Sequence, residues 1–213
     1  MILQNVKRKI IVNAGHYIND PGSQSAYGVE RDECFKIRDN VVSVLRSRGY
    51  EVVPVPDTLD LAGSIKFANE KAPGINDALA IDIHLNYSVD AKARGTEAYY
   101  GVSDTSKKIA ASLAYFTAAS LCVPTRGAKP DTDAAVGSLG WIRQTKMWAS
   151  LVEVCFISNK DDMTMLKPNG YRAAAVGIAN AIDDLFGVTP DESDTAIGSY
   201  SDDELLAEVR RRM

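Results

Sequence analysis

The stretch Ile10-Ile11-Val12-Asn13-Ala14-Gly15-His16 is a short apolar run that ends abruptly at a glycine followed by a histidine. Such a run is typical of a buried strand. The pattern occurs once more, because His84, the other of the two histidines in the chain, follows the run Leu79-Ala80-Ile81-Asp82-Ile83. Two histidines placed just past two apolar runs predict a functional site where buried strands end.

Strand-like and helix-like segments alternate outward from this stretch. Strands are predicted at residues 9–13, 51–55, 79–85, 95–100 and 150–155, and helices at 30–48, 59–71, 104–121 and 171–186. Pro54 predicts an edge position for the second strand, Asp104 or Thr105 is the predicted cap of the third helix, and residues 124–138 read as a surface loop. This alternation predicts a single α/β domain with a mostly parallel or mixed sheet and helices on both faces. In such sheets, ligands bind beyond the carboxyl ends of the strands.

Composition narrows the class of protein. The chain has 213 residues, 46% of them apolar, which is enough for one substantial core or one domain with a short appendage. No apolar run reaches the length of about 18 residues that a membrane span needs, and no signal peptide is recognised near the N-terminus. A net charge of −4 argues against nucleic-acid binding. Three widely spaced cysteines, Cys34, Cys122 and Cys155, indicate reduced core thiols.

The C-terminal residues form a separate unit in the prediction. The main domain covers residues 1–187, residues 188–200 read as a linker, and residues 201–213 as a short amphipathic helix that opens with the capping box Ser201-Asp202-Asp203-Glu204. That helix could dock on its own domain, on a partner or on a second copy of the chain, or it could be disordered. The sequence does not choose among these.

Two carboxylates join the histidines as candidates for a site. Glu30 opens the first predicted helix after the loop that starts at His16, and Glu153 lies in an otherwise apolar strand. A carboxylate in such a strand needs a partner or a metal, because burying an isolated charge is very costly. Hydrolytic zinc sites take three ligands from His and Asp/Glu and keep one position open, but spacing alone equally allows hydrogen-bonded structural histidines. The absence of an HExxH sequence excludes the helix-borne zincin arrangement.

Motifs of one enzyme family occur in order around these residues. They are Gly15-His16, Asp20-Pro21-Gly22, Gly28-Val29-Glu30, Asp82-Ile83-His84-Leu85-Asn86, Gly95-Thr96-Glu97-Ala98-Tyr99 and Leu151-Val152-Glu153-Val154-Cys155-Phe156-Ile157-Ser158-Asn159. In these motifs the chain resembles the zinc-dependent N-acetylmuramoyl-L-alanine amidases of the Amidase_3 family, which includes bacterial cell-separation amidases and phage endolysins. The resemblance extends over roughly residues 9 to 186.

The resemblance implies a fold, a cofactor and a reaction. The implied fold is a six-stranded twisted sheet flanked by helices, similar to zinc carboxypeptidases. The implied zinc ligands are His16, Glu30 and His84, with Glu153 as the catalytic carboxylate. The implied substrate is peptidoglycan, cleaved by zinc-activated water at the amide between N-acetylmuramic acid and L-alanine of the stem peptide.

Four residues depart from the family pattern. Tyr17 and Ile18 stand where the family has two glycines, so the loop after the first histidine is bulkier. Asp82 replaces a serine, and because residues two apart in a strand share a face, it could orient His84 or be partnered elsewhere in the core. Cys155 replaces a glycine and is predicted on the Glu153 face, where a packed thiol is more common than a zinc ligand.

Two other functions stay open on the sequence alone. A zinc carboxypeptidase-like peptidase would need an arginine for the terminal carboxylate, and Arg94 or Arg143 are the candidates. A non-catalytic wall-binding module could keep the same scaffold, although it would have no use for Glu153. Among amidases, an endolysin made in the cytoplasm and acting on the cell wall agrees with the missing export signal, but a trimmed secreted enzyme would have the same sequence features.

Overall fold

A computed structural model of the chain describes residues 2–188, which form one sheet covered by helices. In chain order the elements are β1 (Lys9–Ala14), β2 (Gln24–Ser25), β3 (Gly28–Val29), α1 (Glu30–Ser47), β4 (Glu51–Pro54), α2 (Leu61–Lys71), β5 (Leu79–Asn86), β6 (Thr96–Tyr100), α3 (Asp104–Leu121), β7 (Thr125–Pro130), α4 (Gly140–Gln144), β8 (Trp148–Phe156), α5 (Lys160–Leu166) and α6 (Gly170–Phe186). The strands β2 and β3 form a small separate hairpin within the loop that follows β1.

The main sheet has six strands in the order β4-β1-β5-β8-β6-β7. The four strands β4, β1, β5 and β8 are parallel, whereas β6 pairs antiparallel with β8 and carries β7 parallel to itself. This confirms the predicted α/β class with a mixed sheet. The predicted edge position of Pro54 is also confirmed, because β4 is the outermost strand on its side.

Helices cover both faces of the sheet, as predicted. The larger core lies between the sheet and the helices α1, α3 and α6, and the smaller one involves α2 and α4. Successive side chains along β5 point to opposite faces of the sheet. Leu79, Ile81 and Ile83 point into the larger core, whereas Ala80 belongs to the smaller core. His84 therefore emerges on the α2/α4 side of the sheet.

Two local predictions were wrong. Residues 124–138 are not a loop throughout, because 125–130 form the strand β7 and Asp131–Asp133 a turn of 3-10 helix. As an edge strand, β7 has no fully buried position, so its sequence lacks the apolar pattern that marks the inner strands. The cap of α3 is Ser103 rather than Asp104 or Thr105, and it exchanges hydrogen bonds with Ser106 in a capping box.

The placement of Cys155 was also wrong. The pairing of β5 with β8 advances from His84↔Glu153 to Asn86↔Phe156, so β8 carries one extra residue in a bulge. The bulge interrupts the alternation of faces. Cys155 consequently lies in the larger core with no exposed surface, away from the face that carries Glu153. The thiol is a packed core group.

The predicted linker and C-terminal helix, residues 188–200 and 201–213, lie outside the described residues except for Val188. The boundary of the main domain at residue 187 therefore stays a prediction, as does any docking of that helix. Among the described helices, none has both the length and the apolar character needed to cross a bilayer.

Candidate metal centre

Three of the predicted site residues meet on the α2/α4 side of the sheet. His16 follows β1, Glu30 is the first residue of α1, and His84 lies near the end of β5. Each offers a ligand atom, and the three atoms all lie within 4.8 Å of one another. Nε2 of His16 is 3.1 Å from Oε2 of Glu30, and Nδ1 of His84 is 3.0 Å from Oε1 of the same carboxylate. One carboxylate thus faces one nitrogen of each imidazole.

Two glycines make room for the imidazole rings. A Cβ on Gly15 would lie 2.5 Å from Cε1 of His84, and a Cβ on Gly22 would lie 2.4 Å from Cδ2 of His16. Gly22 also has a φ of +63°, in the left-handed region that glycine adopts at little cost. His16 itself has a φ of +71°, which is uncommon for a residue with a side chain. The backbone around β1 is therefore shaped to bring the two rings to Glu30.

An aspartate lies beside the second nitrogen of each ring. Oδ2 of Asp20 is 2.8 Å from Nδ1 of His16, and Oδ2 of Asp82 is 3.4 Å from Nε2 of His84. Asn13 donates to the other oxygen of Asp82 at 2.8 Å and fixes its orientation. Carboxylates that bind the far nitrogen of a ligating histidine set its tautomer and raise its basicity. The structure thus gives Asp82 the contact that would orient His84.

Glu30 is buried but well supplied with donors. The backbone N–H of Ser23 donates to Oε2 at 2.8 Å, and that of Leu85 donates to Oε1 at 3.2 Å. Burial opposes ionisation, but hydrogen bonds from His16 and His84 outweigh it and hold the pKa of Glu30 far below its usual value. Burial likewise opposes protonation of both histidines, and the neighbouring carboxylates nevertheless raise the pKa of each.

The donor set has the composition of a zinc site. Two imidazoles and one carboxylate are the ligands of several catalytic zinc centres, and the aspartates beside the histidines are the usual outer contacts. The protein positions all five groups through strand ends and tight turns. Its residues therefore fit a zinc ion.

Glu153 lies next to this cluster on the neighbouring strand. It is the register partner of His84, so the two side chains share a face of the sheet. Its Oε2 is buried and has no hydrogen-bond partner among residues 2–188. Burial raises the pKa of Glu153 to about 8, and the charges of Glu30, Glu97 and Asp82 act in the same direction while His84 opposes them. This oxygen can therefore accept a proton from a bound molecule.

A cavity of about 570 Å³ opens beside the histidines toward α2 and α4. Its polar floor includes Asp82 and both imidazoles, and apolar side chains such as Leu61 and Trp141 form its walls. Tyr17 also lines the cavity, whereas the neighbouring Ile18 is 56% exposed. The bulky residue that replaces a family glycine is thus part of the cavity wall.

The two arginines considered for a peptidase are bound elsewhere. Arg143 makes paired hydrogen bonds to Asp131, and Arg94 binds Asp161 and Asp162. Neither arginine lines the cavity beside the histidines. The geometry gives no support to recognition of a terminal carboxylate by Arg94 or Arg143.

Sequence reasoning missed a second charged group beside Glu153. Glu97 on β6 is the register partner of Glu153 and is only 2% exposed. Its carboxylate binds Arg126 and Lys129 of β7 at 2.5 and 2.6 Å. The signal was present, because Glu97 is a charge in a strand that is otherwise buried, the same feature that drew attention to Glu153.

Comparison with known proteins gives consistent matches. The model of the family N-acetylmuramoyl-L-alanine amidase, Amidase_3, matches residues 10–184. The chain is 26% identical over 189 residues to an endolysin of Bacillus phage SPP1, covering 86% of this chain and 68% of that protein. It is 28% identical over 183 residues to the N-acetylmuramoyl-L-alanine amidase LytC of Bacillus subtilis, covering 84% of this chain but 35% of LytC.

A solved structure shares the fold. The catalytic domain of CwlV, an N-acetylmuramoyl-L-alanine amidase from Bacillus (Paenibacillus) polymyxa var. colistinus, superposes with a TM-score of 0.73 at 28% identity. The match covers 85% of this chain and 99% of that domain. The described part of the chain therefore corresponds to a whole domain of this solved structure.

Proposed function

The chain belongs to the N-acetylmuramoyl-L-alanine amidase family Amidase_3, and on that premise we propose that it is a zinc-dependent peptidoglycan hydrolase. The bond cleaved is the amide between the lactyl group of N-acetylmuramic acid and L-alanine of the stem peptide. His16, Glu30 and His84 hold the metal, and Glu153 is the catalytic carboxylate. The observation that supports this most directly is that the three ligand atoms lie within 4.8 Å of one another, beside a carboxylate whose Oε2 has no hydrogen-bond partner among residues 2–188.

These three residues would hold a zinc ion, which would supply a Lewis acid that lowers the pKa of water and polarises a carbonyl. The chain supplies the shape and the fixed charges. The backbone donors on Glu30 and the aspartates beside His16 and His84 keep the ligands in one arrangement, so little reorganisation is needed when a metal or substrate arrives.

Glu153 moves the proton. Its Oε2 accepts a proton from the attacking water, and the same atom then returns that proton to the nitrogen of the departing L-alanine. The register pairing with His84 places this carboxylate beside the ligand cluster.

Two variants separate ligation from proton transfer. Glu153→Ala should keep zinc and lose turnover by a factor of roughly 10² to 10⁴, whereas His84→Ala should lose both zinc and turnover. The measurements are zinc content of the purified protein and release of new L-alanine amino termini from muropeptides of several wall types. Retained zinc in wild-type protein with no new L-alanine termini would exclude the amidase function.

We further propose that the biological role is that of an endolysin, on the basis of the likeness to the phage SPP1 endolysin. Expression inside a bacterial host together with a membrane-permeabilising protein should cause lysis, and Glu153→Ala should abolish it. Lysis that is unaffected by Glu153→Ala would contradict this role.

A further inference from the structure

Arg126 is placed by an irregularity in the edge strand β7. The pairing of β6 with β7 advances from Thr96↔Thr125 to Glu97↔Gly127, so Arg126 is the extra residue of a bulge. Gly127 follows it with a φ of +76°, in the left-handed region. A bulge redirects a side chain that regular alternation would aim elsewhere, and bulges of this kind are common beside active sites. Here the bulge brings the Arg126 side chain to the face that carries Glu97.

Two contacts fix the guanidinium in place. Its Nε donates to Oε2 of Glu97 at 2.5 Å, and its Cζ lies 5.0 Å from the centre of the Phe156 ring, the arrangement of a cation–π contact. The two Nη groups meet no acceptor among residues 2–188, and the side chain is 36% exposed. The protein therefore binds the Nε of the guanidinium, whereas the paired Nη donors have no acceptor among the described residues.

The ion pairs of Glu97 carry a net positive charge. Glu97 contributes one negative charge, and both Arg126 and Lys129 are bound to the same oxygen of its carboxylate. Two cations on one carboxylate leave an excess of one positive charge. A guanidinium with two free, parallel N–H donors matches the two oxygens of a carboxylate in geometry as well as charge.

The separation of Arg126 and Glu153 agrees with the spacing between the scissile amide and the next residue of the stem peptide. Glu97 lies between the two, as register partner of Glu153 on β6 and ion-pair partner of Arg126 on β7. The strands β8 and β7 are two strand spacings apart, about 10 Å. The long side chain of Arg126 extends from β7 toward β8 over much of this distance. An extended peptide advances at most about 3.6 Å per residue, so a carboxylate on the residue after L-alanine lies about 7 Å from the scissile amide.

We propose that Arg126 is a specificity-determining residue that binds a free carboxylate on the second residue of the stem peptide. This inference rests on the proposed amidase function. Arg126 selects stem peptides that carry this negative charge over those in which it is amidated, and Glu97 with Phe156 keeps the guanidinium in the receiving orientation.

Two synthetic disaccharide pentapeptides test the proposal. They differ only in the second stem residue, which is D-glutamate with a free α-carboxylate in one and D-isoglutamine in the other. A charge-assisted bidentate contact predicts that wild-type kcat/KM is higher on the free carboxylate by about 10-fold to 100-fold. Arg126→Ala should lower kcat/KM on that substrate by a similar factor, change it little on the amidated one, and so remove the preference.

Two further variants complete the test. Arg143→Ala removes an arginine of similar exposure whose Nε and Nη2 both bind Asp131, and it should leave the preference unchanged. Arg126→Lys keeps a positive charge beside Glu97 but not the paired donors, so it should retain only part of the preference even if Arg126→Ala folds poorly.

The outcomes distinguish the possible failures. No preference in the wild-type enzyme, or an equal loss on both substrates with Arg126→Ala, would overturn the proposal and leave Arg126 with the sole task of neutralising Glu97. Failure of the wild-type enzyme to release L-alanine termini from either substrate and from purified walls would instead refute the amidase function, and with it this inference.

Discussion

The narrow space between Gly15 and His84 yields a quantitative prediction for Gly15→Ala. The added Cβ would lie 2.5 Å from Cε1 of His84 and 2.6 Å from both of its ring nitrogens. Ordinary contacts between carbon atoms start near about 3.5 Å, so the ring would have to move by about 1 Å. Glu30 and Asp82 flank the ring at 3.0 and 3.4 Å and limit the directions in which it can go.

Such a movement exceeds what a metal site tolerates, because ligand distances hold to within about 0.2 Å. We expect zinc affinity to fall by roughly 100-fold, at the upper end of the effect of disturbing groups that orient a ligand. The free energy of unfolding should fall by only about 1–3 kcal/mol, the usual cost of an overpacked side chain. Zinc affinity is measured by competition with a chromogenic chelator, and stability by urea unfolding of the metal-free protein.

Gly101→Ala is the matched control, because its Cβ would meet a single side-chain atom, Cγ2 of Ile142, at 3.3 Å. It should bind zinc as the wild-type protein does. If Gly15→Ala also bound zinc within about threefold of wild type, the ring would not be confined as the structure shows, or His84 would not be a ligand.

Three other predictions concern single groups. Asp20→Ala should weaken zinc binding by roughly 10-fold to 100-fold, because its carboxylate orients the first histidine through a 2.8 Å contact; unchanged affinity in the chelator assay would contradict this. Burial disfavours the charged form of Glu97, but its cationic partners and a tyrosine hydroxyl lower the pKa of this carboxyl below the ordinary 4.5. The charged carboxylate therefore contributes its full stabilisation above about pH 4.5, and this stabilisation is lost as the pH falls through the lower pKa of the folded state. Urea unfolding between about pH 6 and pH 3 should therefore show a shallower loss of stability for Glu97→Gln than for wild type, and parallel curves would show that Glu97 contributes nothing. Asp183→Ala removes a 1% exposed carboxylate that Arg48 and the Tyr50 hydroxyl both reach at 2.7 Å, and it should lower the free energy of unfolding by about 3–5 kcal/mol; a loss under about 1 kcal/mol by urea unfolding would show that the buried pair is not structural.

The elements that the sequence predicted correctly are those whose own residues show an apolar pattern typical of a buried strand or helix. Three consecutive apolar residues mark each of two inner strands, and the structure gives none of them exposed surface: Ile10-Ile11-Val12 and Leu79-Ala80-Ile81. The helices α1, α3 and α6 show apolar residues at helical spacing for the same reason. Local periodicity is sufficient where an element packs against the main core.

The elements that it missed depend on partners distant in the chain. The strand β7 forms because it pairs with β6. Residues 124–138 are rich in glycine and proline, and their sequence does not indicate that pairing. The position of Cys155 depends on a bulge relative to β5, which alternation within β8 alone cannot reveal. The extra residue at Arg126 arises in the same way on the other side of the sheet. Bulges are properties of strand pairs, so a single strand read alone carries no sign of them.

One face of the sheet carries the main core, and the other carries the ionisable groups of the candidate site. Neighbouring residues of a strand point to opposite faces, so Ile83 and Val152 lie in the larger core with no exposed surface while His84 and Glu153, one position further along, face the cleft. Glu97 continues the polar row on β6. The large apolar contact with α1, α3 and α6 supplies enough burial for the opposite face to hold several ionisable groups at its centre. Truncating Val152 should therefore lower the free energy of unfolding without displacing the proposed zinc ligands, whereas replacing Glu153 should remove the proposed activity and leave the main core intact.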